Sequence, residues 1–118
     1  MEIVINEIEG VNIAEVLSDN ILIKVTQDAL DLMAESNYMG SSRIILHEKN
    51  IISDFFDLKT GLAGEILQKF SNYNVQLAIV GDYSKYSSKS LKDFIFESNK
   101  YGRINFVNSV EEAKERLR

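Results

Sequence analysis

Between Phe55 and Glu65 the chain reads Phe-Phe-Asp-Leu-Lys-Thr-Gly-Leu-Ala-Gly-Glu, setting an acid (Asp57), a base (Lys59) and a hydroxyl (Thr60) just ahead of an apolar helical pattern. The first backbone N–H groups of a helix lack partners and carry the positive end of its dipole. A phosphate is favoured there, either as a bound anion or as a group attached to Thr60. Gly61 and Gly64 allow the backbone to approach such a group closely. A plainer reading competes: Thr60 caps the helix, and the two glycines admit close packing of helix on sheet. Neither glycine belongs to a complete phosphate-loop pattern, so the spacing leaves both readings open.

The run Tyr83-Ser84-Lys85-Tyr86-Ser87-Ser88-Lys89-Ser90 mixes hydroxyls, cations and aromatics directly after an apolar strand pattern. Ligands of open parallel sheets bind at the carboxyl ends of strands, so this loop, with Tyr83 and Ser87 as its candidate contacts, is expected to share a rim with the loop before Thr60. Its alternative is a solvated loop whose Ser90 caps the next helix. His47 is the one histidine. One imidazole plus Glu48, Asp54 or Asp57 is a poor set for zinc or iron, and no nucleophile accompanies it as a general base, so no catalytic residue, metal or cofactor is assigned.

These residues need a scaffold. Ile3-Val4-Ile5 and Val11-Asn12-Ile13, joined through Glu9-Gly10, predict an opening hairpin. Ala29, Leu30, Met33 and Ala34 recur at helical spacing, with Thr26 placed to cap and Gly40 beyond the end. A strand follows at Ile44-Ile45-Leu46, and His47 to Asp57 has no single period. Leu62, Ile66, Phe70 and Tyr73 form one stripe of a helix, and Val75 to Val80 reads as a strand buried on both faces. Ser90 with Asp93 fits a capping box for a helix ending near Gly102, Ile104 to Val107 is a fifth strand, and Ser109 with Glu112 opens a last helix. Phe94, Phe96, Tyr101 and Phe106 are expected in the core, except that Phe94 and Phe96 cannot both face the sheet from one helix. The order predicts an α/β domain: a mostly parallel sheet of about five strands opened by an antiparallel hairpin, with about four helices.

The 118 residues suit one domain spanning residues 1–118, large enough to bury a core without metal or disulfide. There is no cysteine, which removes thiol nucleophiles and thiolate zinc sites. Eighteen acids against 13 Lys plus Arg give a net charge of -5, which disfavours nucleic acid and anionic lipid. No apolar run approaches the roughly 18 residues of a membrane span and Met1-Glu2-Ile3-Val4 has no basic leader character, so a soluble cytoplasmic protein is expected.

The segment Phe55 to Phe70, with Leu77-Ala78-Ile79-Val80-Gly81-Asp82 and Ser90-Leu91-Lys92-Asp93-Phe94-Ile95, resembles a bacterial family without assigned activity, domain of unknown function 4180. The layout also resembles, more distantly, the STAS domain of anti-sigma-factor antagonists: an opening strand pair, a loop entering a helix, a strand ending in Val80-Gly81, and a last strand before Asn108-Ser109-Val110-Glu111-Glu112-Ala113. In those antagonists the loop reads Asp-Ser-Ser-Gly-Leu, and an anti-sigma kinase phosphorylates the second serine. Lys59-Thr60-Gly61-Leu62 occupies the last four places, so the resemblance puts Thr60 at the phosphorylated position, with Lys59 replacing a small residue. It implies a non-enzymatic regulatory module with a protein partner. The alternative is a binder of a small anionic ligand, or an enzyme, using Asp57, Lys59 and His47 at the same rim. A deep pocket at that rim would favour a ligand, a flat surface a protein. The surplus aromatics also suggest a homodimer.

Overall fold

A computed structural model describes residues 1–118. Two strands, β1 (Glu2–Ile8) and β2 (Val11–Leu17), pair antiparallel with Ile8 opposite Val11. Glu9 and Gly10 between them have φ of 53° and 81°. Two consecutive positive φ values make the turn whose twist matches the strands it joins, and Gly10 adopts one without strain. Then come α1 (Thr26–Tyr38), β3 (Arg43–His47), three short 3-10 turns, α2 (Leu62–Asn72), β4 (Gln76–Val80), α3 (Lys89–Tyr101), β5 (Ile104–Val107) and α4 (Val110–Leu117). The strands lie in the order β1-β2-β3-β4-β5, parallel from β2 onward. The expected α/β architecture, with its opening hairpin and four helices, is the observed one.

The strand order advances in one direction, so three crossovers of one hand put their helices on one face. The packing follows that rule. Ile44, Leu46, Leu77, Ile79, Ile104 and Phe106 turn toward α1, α2 and α3, meeting Leu32, Ile66, Phe70 and Leu91 in the larger core. The alternate residues Ile13, Ile45, Ala78 and Val107 turn the other way and meet Ala113 and Leu117 of α4. Both faces of β3 to β5 are therefore covered, which is why the central residues of β3 and β4 are apolar without alternation, while the one buried polar residue of β5, Asn105, donates to the Leu77 and Gly102 carbonyls at 3.1 and 2.9 Å.

Several local expectations need correction. Thr26 does not cap α1. It is the first helical residue, and the cap position is Val25, whose side chain offers no acceptor; the backbone N–H groups of Lys24 and Val25, just before the helix, donate to Asp28 Oδ2 at 2.9 and 3.1 Å. Ser88, not Ser90, caps α3, accepting from the Leu91 N–H at 3.2 Å. Ser109 caps α4 as expected, accepting from the Glu112 N–H at 3.1 Å. Tyr73 leaves the α2 stripe because it lies past the last helical residue, and it is 64% exposed. On α3 Phe94 packs on the core, whereas Phe96 and Tyr101 are 63% and 90% exposed.

Candidate functional site

The stretch that the sequence left without a type, between β3 and α2, folds as three 3-10 turns over Glu48–Asn50, Ser53–Phe56 and Leu58–Thr60. Its apolar residues Ile51, Phe55 and Phe56 are buried and anchor the path, while the polar residues between them stay at the surface. Thr60 closes the run. Its hydroxyl lies 2.7 Å from the Asp54 carbonyl and 2.9 Å from the Asp57 carbonyl, to which it donates, and it accepts from the Leu62 N–H at 3.3 Å. The Asp57 carboxylate accepts from the Lys59 N–H at 3.3 Å. The cap residue of α2 is Gly61, at φ 79°, a left-handed conformation that a side chain would strain. Thr60 thus serves the helix start from one residue upstream. A Cβ on Gly64 would meet nothing within 4 Å, so close helix-to-sheet packing does not explain that glycine.

Thr60 lines an open cleft of about 460 Å³ with Lys24, Thr26, Gln27, Asp54 and Glu65. Across it the Thr26 hydroxyl donates to Glu65 Oε2 at 2.8 Å, tying the start of α1 to the first turn of α2. Asp57, Lys59, Thr60 and Gly61 are exposed and come together as one loop. Tyr83 and Ser87 do not join this cleft.

The Tyr83–Ser90 loop is bound to a different part of the same connection. Glu48, with only 13% of its side chain exposed, takes two partners from that loop, the Tyr86 hydroxyl and the Lys85 ammonium at 2.8 Å, and a third just before it, the Asp82 N–H at 3.3 Å. Gly81 is required for this approach, since a Cβ there would lie 2.6 Å from Glu48 Oε1 and 2.7 Å from Glu48 Cβ. Phe56 stacks on Tyr86 with ring centroids 5.2 Å apart, and Tyr83 meets Phe106 edge-on at 5.4 Å. The Tyr83 hydroxyl donates to the Ile79 carbonyl at 2.5 Å. Burial, with the Glu48 charge nearby, pushes the Tyr83 phenol far above its ordinary range. Burial and the hydrogen bond to Glu48 push the Tyr86 phenol up as well. Where the sequence placed a rim over β3 to β5, aromatic packing fills the space, and Ser87 is exposed on the outer surface.

Two residues hold this end together, Asn50, which the sequence did not single out, and Glu48, which it weighed only as a metal ligand beside His47. Asn50, fully buried, donates to the Ser18 and Asn20 carbonyls at 2.9 Å each and accepts from the His47 N–H at 3.1 Å. It fastens the β2–α1 connection to the end of β3. Glu48 is the second. Its neighbours lie 34 to 38 positions away, so nothing local in the sequence signals either role. His47 is half-buried beside Leu17, Ser18, Asp19 and Lys49 in a separate cleft of about 340 Å³.

Comparison with known proteins agrees with this fold. No curated protein matches the chain. A solved structure, a candidate anti-sigma factor antagonist from Thermotoga maritima, is similar with a TM-score of 0.51 and 18% identity, over 98% of this chain and 93% of that one. The fold is therefore STAS-like. The family described as "Domain of unknown function (DUF4180)" matches residues 8–117. With almost the whole chain aligned to it, the protein belongs to the domain of unknown function 4180 family.

Proposed function

We propose that this chain is a non-enzymatic regulatory module of the cytoplasm that works by binding a protein partner, with the loop from Asp54 to Leu62 as the contact and Thr60 as its switch. The carrying observation is the Thr60 hydroxyl. It belongs to an exposed residue, yet its bonds to the Asp54 and Asp57 carbonyls and from the Leu62 N–H hold three turns of backbone in one arrangement. A phosphate on that oxygen removes the donated proton and adds close to two negative charges beside Asp54, Asp57 and Glu65. The turn opens, and the surface a partner reads changes with it. The matching position in the STAS resemblance and the STAS-like fold support the same reading.

The shape and charge of the cleft favour a protein over a small anionic ligand. It is open, and of its charged side chains Asp54 and Glu65 oppose an anion while Lys24 alone attracts one. Beneath the Tyr83–Ser90 loop, Phe56 packs on Tyr86 and Phe106 on Tyr83.

The test is quantitative capture from extract of the source cells on immobilised wild type, Thr60→Ser and Thr60→Glu. Wild type and Thr60→Ser, which keeps the hydroxyl, retain a common protein, and Thr60→Glu loses it by about tenfold, the equivalent of about 1.4 kcal/mol. Equal retention by all three would remove Thr60 as the switch, and retention of nothing by the wild type would remove the partner.

A further inference from the structure

The two edges of the sheet are treated differently. At the β5 edge α3 supplies side chains to the outward backbone: the Ser98 hydroxyl donates to the Ile104 carbonyl at 2.6 Å, the Phe106 N–H donates to Asn99 Oδ1 at 2.7 Å, and Asn99 Nδ2 donates to the Phe106 carbonyl at 3.2 Å. At the β1 edge there is no such cover. The pair Ile8 and Val11, flanking a two-residue turn, exchanges both of its bonds across the hairpin, and alternation then turns Asn6, Val4 and Glu2 inward to β2. Ile3, Ile5 and Glu7 turn their N–H and C=O groups outward, where nothing in the chain reaches them. A bare edge of this length is a template for another strand.

We infer that the occupant of this edge is β1 of a second copy, paired antiparallel about a two-fold axis that passes between Ile5 and its counterpart. Independently of the Thr60 reading, the sequence of β1 singles out this register. All outward residues are matched only when Ile5 faces Ile5 and Ile3 faces Glu7, each pair exchanging both backbone bonds. In that register the carboxylates of Glu2 and Glu7 face Ile8 and Ile3, so no like charges stand opposite one another although the strand is acidic. Moving the register by two places Ile3 opposite Ile5 and leaves Glu7 beyond the paired stretch. The two-fold operation perpendicular to the sheet keeps α1 to α3 of both copies on one side, and two five-stranded sheets become one.

The experiment is light scattering of the full chain together with two charge variants at the axis. Wild type has twice the chain mass. Ile5→Lys and Ile5→Glu each revert to the single mass, because like charges then stand opposite, and an equal mixture of the two restores the double mass. Circular dichroism shows that each variant is folded. In the wild type, amide exchange of Ile3, Ile5 and Glu7 slows as concentration rises, a readout that needs no variant. A wild type of single mass with concentration-independent exchange overturns the inference, as does a dimer that survives both Ile5 variants. So does a single-mass chain whose β1 amides are protected only by an added extended peptide.

Discussion

Asn99 on α3 is bonded in both directions to the Phe106 peptide of β5, accepting from its N–H at 2.7 Å and donating to its carbonyl at 3.2 Å. One amide side chain therefore imitates the strand that would otherwise extend the sheet. Asn99→Ala leaves that buried edge peptide without partners, at a cost of about 1–3 kcal/mol, checked by urea unfolding. Asn99→Asp does not rescue the loss, because a carboxylate oxygen then faces the Phe106 carbonyl where an N–H donated.

Glu48 and Gly81 form a close contact that admits no side chain on the glycine. Gly81→Ala places a Cβ 2.6 Å from Glu48 Oε1 and 2.7 Å from Glu48 Cβ, and the backbone must shift. The expected destabilisation is about 1–3 kcal/mol, read from chemical denaturation. Glu48→Gly in the same chain removes both obstructing atoms, so the double variant suffers less from Gly81→Ala than the wild type does. Additive effects would show that the two residues are not coupled.

The alkaline limb of stability is set in part by the two tyrosines over β4. Both phenols are held protonated above their ordinary value of 10.0 in the folded chain, Tyr83 and Tyr86 alike through burial first. The unfolded chain releases those protons first, so it binds fewer protons than the folded chain once pH passes about 10. Stability falls as pH rises beyond that point, and is not affected by these groups below it. Tyr83→Phe and Tyr86→Phe each make the fall shallower, measured as the midpoint of urea unfolding at pH 8, 10 and 11.

Much of this scaffold can be read from short-range pattern. Gly10, Gly102 and Ser109 act where turn and cap chemistry puts them, and the runs at Ile44 and Leu77 are apolar on both faces because helices cover both. The caps failed by a residue or two. Thr26 is the first residue of α1 and not its cap, and among neighbouring serines Ser88 rather than Ser90 met the Leu91 N–H. The segment from His47 to Asp57 escaped because 3-10 turns repeat too briefly to show a period. Glu48 and Asn50 escaped because their value lies in partners from distant strand ends. The place of Thr60 just ahead of α2 was legible, but the cap position proved to be Gly61, and the grip of Thr60 on the Asp54 and Asp57 carbonyls was not legible.

Asn50 offers a check on how the β2–α1 connection is held. Asn50→Ala orphans the Ser18 and Asn20 carbonyls and the His47 N–H together, for a loss of about 1–3 kcal/mol in urea unfolding. Amide exchange then quickens at Leu22 and Ile23, whose N–H groups donate to the Asn50 carbonyl.

The central claim, that the Thr60 hydroxyl holds the Asp54–Leu62 loop and that charge there releases it, is tested most directly by amide exchange of residues 54–62 in Thr60→Ser, Thr60→Val and Thr60→Glu. Thr60→Ser keeps the hydroxyl and exchanges like the wild type. Thr60→Val loses bonds that contribute about 0.5–1.5 kcal/mol each and exchanges faster. Thr60→Glu adds repulsion from Asp54, Asp57 and Glu65 and exchanges fastest, while β3 to β5 keep their wild-type protection. Exchange in Thr60→Glu no faster than in Thr60→Ser would contradict the account.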